Sequence, residues 1–163
     1  MNRSSLLIML FCLAAGIPAA FGASSAPARP MPAPVVEKKA GPSPEATYNE
    51  GYALMKARNY AGARARFEAA LKLKPNFAEA HNNLAFCLRK QSPANYKSSL
   101  EHYNVALKLN PKLAQAYEYR GVLLVQMNRK ADAEKDLAML KQLDPKLAAQ
   151  LDTAIKTGKD TEY

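Results

Sequence analysis

Cys87, His81 and His102 are the side chains in the body of this sequence best suited to nucleophilic or acid–base chemistry. His81 and His102 stand 21 residues apart, and neither has a Cys, Asp or second His at the short separations typical of metal ligands. Both are therefore read as packing or surface residues, and no metal site is expected. Cys87 follows Phe86 in an apolar stretch, where a thiol behaves as a small hydrophobe. His81, six residues earlier, falls on another helical face and is badly placed to act as its base. The sequence has no glycine-rich phosphate loop, paired-carboxylate motif or serine elbow. A non-enzymatic protein with no catalytic residue and no cofactor is expected, so the informative chemistry is that of packing and recognition.

The elements that position such residues are marked by repetition. Residues 70–81 read ALKLKPNFAEAH and residues 106–117 read ALKLNPKLAQAY, one pattern displaced by 36. A third copy, Leu143 to Ala148, matches Leu109 to Ala114 at a displacement of 34. Periods of this size indicate stacked supersecondary units. Counting back from Pro75, the residues 5, 8, 12 and 24 earlier are Ala70, Phe67, Ala63 and Gly51; from Pro145 they are Leu140, Leu137, Ala133 and Gly121. From Pro111 they are Ala106, Tyr103 and Ser99, with the matching small residue, Ala85, 26 residues back. The second unit thus carries two extra residues, which Ser92-Pro93-Ala94 places in its turn. Small residues recur where helices approach closely, bulky ones where a gap must be filled.

The small residues at Gly51, Ala63 and Ala70, the bulky Phe67 and the closing Pro75 resemble the tetratricopeptide repeat over about residues 44–147. The resemblance implies an all-α solenoid of three helix-turn-helix repeats, at about 44–77, 78–113 and 114–147, with a capping helix at 146–156. Two departures from the family's pattern stand out: the tryptophan-like site of the first helix holds Thr47, His81 and Tyr117, and Leu140 stands where a small residue is usual. The period and the prolines predict helices at 45–57, 60–73, 78–90, 96–109, 114–127, 130–143 and 146–156. In the last, Leu147, Leu151 and Ile155 form one apolar stripe suited to sealing the stack.

In the resembled family the first helices of successive units line a concave groove. The resemblance assigns to it Tyr48, Tyr52 and Met55, then Asn82, Phe86 and Arg89, then Glu118, Val122 and Val125. The middle row, Tyr52, Phe86 and Val122, is apolar throughout. Leu54, Leu84, Leu88 and Leu124 already supply core positions, so this row is read as facing a protein or peptide partner. The alternative is that these rings fill the groove against neighbouring helices or the chain's own spacer. Some family members grip a terminal carboxylate with Lys, Arg and Asn side chains on three first helices. Here Asn83 alone matches; Tyr48 and Tyr52 on the first helix and Gln115 and Tyr119 on the third replace the rest, so no such clamp is expected.

The 163 residues carry a net charge of +9 with 48% hydrophobic and 23% charged residues, within the range of a folded domain. Between 56 and 112 there are eleven Lys or Arg and three Glu; from 113 onward there are eight of each sign. A groove near the basic half should attract acidic segments, and a basic convex face bearing Arg66, Lys72 and Lys108 offers an alternative attachment to an anionic membrane or envelope polymer. The aromatics follow the packing register instead of interleaving with the cations, which argues against nucleic-acid binding. Arg3, the apolar run Leu6–Ile17 and the small residues Pro18–Ala23 have the layout of a secretory signal peptide, removed after Gly22 or Ala20. The residues before Cys12 lack the pattern that precedes a lipid-modified cysteine. The apolar run is too short to span a bilayer, so no transmembrane segment is expected after signal removal. The expected layout is a signal peptide at 1–22, a Pro/Ala-rich disordered spacer at 23–44, the repeat domain at 45–157 and a tail at 158–163. The expected protein is exported, to the periplasm if the source is Gram-negative and otherwise secreted, and acts as an adaptor or assembly factor.

Overall fold

Each helix starts or stops where the sequence supplies a backbone partner or withholds one. The structure, a computed structural model, describes residues 41–160; the expected signal peptide, nearly all of the spacer and the last three residues of the tail lie outside the described residues. The Ser43 hydroxyl accepts from the amide of Ala46 at 3.0 Å, with Pro44 in the first turn, and opens α1 (Pro44–Lys56). The Asn59 side chain accepts from Gly62 N at 2.9 Å and opens α2 (Tyr60–Leu73). There follow α3 (Ala78–Gln91), a 3₁₀ turn at Pro93–Asn95, α4 (Tyr96–Leu109), α5 (Ala114–Gln126), α6 (Lys130–Leu143) and α7 (Pro145–Thr157). Asp144 Oδ1 accepts from Lys146 N and Leu147 N at the head of α7, and Gly158, at φ 69°, stops it. All seven expected helices are present, each end within one residue of expectation. Pro145 both ends α6 and supplies the first residue of α7, because a missing N–H costs nothing in a helix's first turn.

The helices pack as three antiparallel hairpins, α1–α2, α3–α4 and α5–α6, stacked through α2–α3 and α4–α5, and α7 packs on α5 and α6. This is the expected three-hairpin, all-α solenoid with a terminal helix. The outer hairpins turn through residues in left-handed geometry, Arg58 at φ 60° and Asn128 at φ 59°. The middle one uses the two extra residues as the 3₁₀ turn, in which the Ser92 hydroxyl accepts from Ala94 N.

The recurring small residues are buried. Ala63, Ala70, Ala85, Ala106 and Ala133 are fully enclosed, as are the gap-fillers Phe67 and Tyr103. Ser99 donates from its hydroxyl to the Ala85 carbonyl at 2.7 Å, tying α4 to α3 at their close approach. The two glycines face different neighbours. A Cβ on Gly51 would lie 2.9 Å from the Phe67 ring, inside its own hairpin, whereas one on Gly121 would lie 2.5 Å from Leu151 of α7. The unusual Leu140 belongs to the same cluster as Ala148, Leu151 and Ala154, so its bulk fills the seam against the last helix. Burying a side chain such as Leu140 or Leu151 contributes about 1.5–3 kcal/mol.

His81 and Tyr117 tie their helices back to the preceding turn, whereas Thr47 bonds at the start of its own helix. His81 Nε2 lies 2.9 Å from the Pro75 carbonyl oxygen and Tyr117 Oη lies 3.2 Å from that of Pro111, so the closing proline accepts from the following unit in both cases. Six residues before Thr47 is Gly41, and the Thr47 hydroxyl donates instead to the Ser43 carbonyl at 2.9 Å.

Candidate functional site

A recess of about 490 Å³ opens between the first helices of the three units. Tyr52, Met55 and Lys56 of α1, Arg58 of the first turn, Tyr60 of α2, Phe86 and Lys90 of α3, and Gln115 and Tyr119 of α5 line it. Phe86 forms its floor, with its ring centroid 4.9 Å from that of Tyr119 and 5.9 Å, edge-on, from that of Tyr60. Tyr52 remains 45% exposed beside it. Lys90 Nζ and the Arg89 guanidinium each lie 5.4 Å from the centre of the Phe86 ring. Gln115 donates to the Tyr119 hydroxyl at 2.7 Å and holds that ring at the edge. Among the described residues that line the recess none is acidic.

Of the nine residues assigned to the groove from the sequence, Tyr52, Met55 and Phe86 line the recess, and Phe86 does so with only 9% of its surface exposed. Tyr48 is half-buried between Phe67 and Phe77, and burial raises its phenol pKa above the ordinary value, despite the hydrogen bond it accepts from Asn83 Nδ2 at 2.9 Å. Asn83, the one clamp-like residue, is thus engaged internally. Asn82 is buried and donates to Asn83 Oδ1. The Arg89 side chain is 1% exposed and its head meets Asp160.

The apolar row ends at α3. Val122, at 1% exposure, belongs to the cluster of Leu140 and Leu151, Val125 packs with Leu124 and Ala133, and Glu118 is buried as well. For the two valines the reason is α7, whose Leu151 and Ile155 pack in their clusters. Sequence reasoning also passed over Lys56, Arg58, Tyr60 and Lys90 as lining residues. The mixed cation and ring pattern on both sides of the first turn is the signal that could have found them.

The two histidines, read separately from the sequence, meet across the second hairpin: their Nδ1 atoms are 3.0 Å apart and their ring centroids 5.2 Å. His81 Nε2 faces a carbonyl, so it carries the proton there; its Nδ1 then accepts from His102 Nδ1–H. Among the described residues no group of three or more His, Cys, Asp or Glu is arranged to hold a metal ion. Cys87 is fully buried, and burial pushes its thiol up to about 12, which keeps it in the unreactive protonated form. On the outer faces, Arg66 pairs with Glu50 at 3.4 Å, Arg64 with Glu68 at 2.7 Å and Lys74 with Glu45 at 2.8 Å, so part of the basic excess is locally matched. Among the described residues no helix is long and apolar enough to cross a membrane.

Comparison with known proteins agrees with this geometry. The tetratricopeptide repeat family model matches residues 48–92. No curated protein matches the chain. Among solved structures, the Arabidopsis OM64 TPR domain superposes with a TM-score of 0.65 at 19% identity, covering 72% of this chain and 97% of that one. The first TPR of Spaghetti (RPAP3), bound to an HSP90 peptide, gives 0.64 at 19% identity over 71% and 92%. The TPR2B domain of yeast Sti1, in a complex with pHsp70, gives 0.65 at 18% identity over 71% and 98%. The described residues have the fold of a tetratricopeptide-type helical solenoid.

Proposed function

We propose that this chain is an exported adaptor or assembly factor that captures a segment of an envelope or secreted protein in the recess between α1, α3 and α5. The observation that carries the reading is the recess itself, where an exposed Tyr52 and the Phe86–Tyr119 pair meet the cations Lys56, Arg58 and Lys90. Rings and cations together suit a peptide with apolar and anionic groups. Arg58 adds weight: left-handed geometry costs a non-glycine residue about 1–2 kcal/mol, yet a long cation stands there at the rim. Support by analogy comes from Spaghetti and Sti1, which carry this fold and hold peptides or partner proteins.

The test is affinity capture from the native extracellular or envelope fraction with the wild type and a Tyr52→Ala/Lys56→Ala variant. Both side chains are exposed, so the melting temperature should stay within a few degrees. The expected result is a protein retained by the wild type, lost by the variant and eluted by a synthetic peptide from its own sequence. Identical retention by both forms would count against the recess as the binding site.

A further inference from the structure

Arg89 and Lys90 stand side by side near the end of α3, and one carboxylate, that of Asp160, meets them both. Asp160 Oδ2 accepts from Arg89 Nη1 at 2.9 Å and from Lys90 Nζ at 2.7 Å. The chain leaves α7 at Gly158 and reaches this pair two residues later. Both cations lie against Phe86, and Lys90 and Phe86 also line the recess. An intramolecular carboxylate therefore sits at the edge of the surface that a guest would use. The side chains of Arg89, Lys90 and Asp160 are 1%, 20% and 22% exposed, so an anion here is partly withdrawn from water and screened less than on an open surface.

We infer that Arg89 and Lys90 form the anion-reading end of the groove, that its guest is an acidic segment, and that Asp160 is a built-in competitor for that position. The inference rests on the peptide-binding reading above and adds the guest's chemistry and its regulation. A guest carboxylate replaces that of Asp160 on the two cations, while a neighbouring apolar or aromatic side chain lies between Tyr52 and Tyr119. Charge complementarity supports this occupant: Lys56 and Arg58 line the recess beside Lys90, whose carboxylate partner is Asp160 itself. Tethering just beyond α7 gives Asp160 a high effective concentration. A guest carrying a single weak anion is excluded, and one carrying several carboxylates prevails.

The probes are a capped, fluorescein-labelled octapeptide containing several Glu and one Phe in a Gly/Ser background, and its Gln-for-Glu counterpart. Binding is read by anisotropy at low salt to the full chain, with helicity of every variant checked by circular dichroism. Asp160→Asn should tighten the Glu peptide about tenfold, as expected for removing a competitor that holds the site about nine-tenths of the time. Lys90→Gln should weaken the Glu peptide and erase the gain from Asp160→Asn, and the Gln peptide should gain nothing. Unchanged or weaker affinity in Asp160→Asn would overturn the inference. Equal binding of the two peptides, still lost in Tyr52→Ala, would overturn it and leave the peptide-binding reading standing. Binding of neither peptide by any form would overturn it as well, and the capture experiment would decide the broader reading separately.

Discussion

The His81–His102 contact places one titratable hydrogen bond inside the middle hairpin. Burial first, and then the neighbouring His81, hold His102 below the ordinary histidine pKa; Glu101 and Glu68 act in the opposite direction and Arg64 in the same one. Below pH 6.5 the unfolded chain therefore binds more protons at this site than the folded chain does. The resulting stability is present above the unfolded pKa and is lost as pH falls through the depressed folded one. The urea midpoint of the wild type should drop between about pH 7.5 and about pH 5.5, and His102→Gln should flatten that drop. Equal slopes in the two proteins would remove the pair from the explanation. The contact was legible in principle. The repeat register pairs Ala85 with Ser99, and one turn back along α3 and one forward along α4 leads to His81 and His102. Reading the histidines by spacing along the chain alone missed this, because an antiparallel hairpin brings together residues whose separation is not a helical multiple.

At the scale of helices, nearly everything about existence and extent was legible, since prolines, capping side chains and small-residue spacing all act locally. What each helix faces was less so. Gly51 and Gly121 hold the same place in the pattern, yet one accommodates a ring of its own hairpin and the other a leucine of α7. Val122 reads as groove-facing in the sequence because the pattern of α5 is that of α1 and α3. Periodicity identifies an apolar face but does not say which neighbour covers it, and α7 covers this one. The proximity of Gly121 to the fully buried Leu151 gives a sharp expectation. Gly121→Leu should destabilise by about 3 kcal/mol or more in urea melts, and trimming Leu151 to Ala in the same chain should cost less than the two changes made separately. Simple additivity would mean that α5 and α7 do not meet there.

For the solenoid formed by the described residues, stability passes from unit to unit through shared seams. The α7 seam joins Ala148, Leu151 and Ala154 to Tyr117, Val122, Leu137 and Leu140. A chain ending at Asp144 should therefore lose amide protection in α5 and α6 first, by hydrogen exchange, while α1 to α3 stay protected. Uniform loss across all helices would show a single cooperative block instead. The ties from His81 to Pro75 and from Tyr117 to Pro111 carry a consequence for anyone building longer arrays from this sequence. A duplicated middle module would bring its own latch, since each copy presents a proline carbonyl to the ring donor of the next. A duplicated first module would not, because Thr47 is too short to span that junction and would leave the spliced joint unfastened.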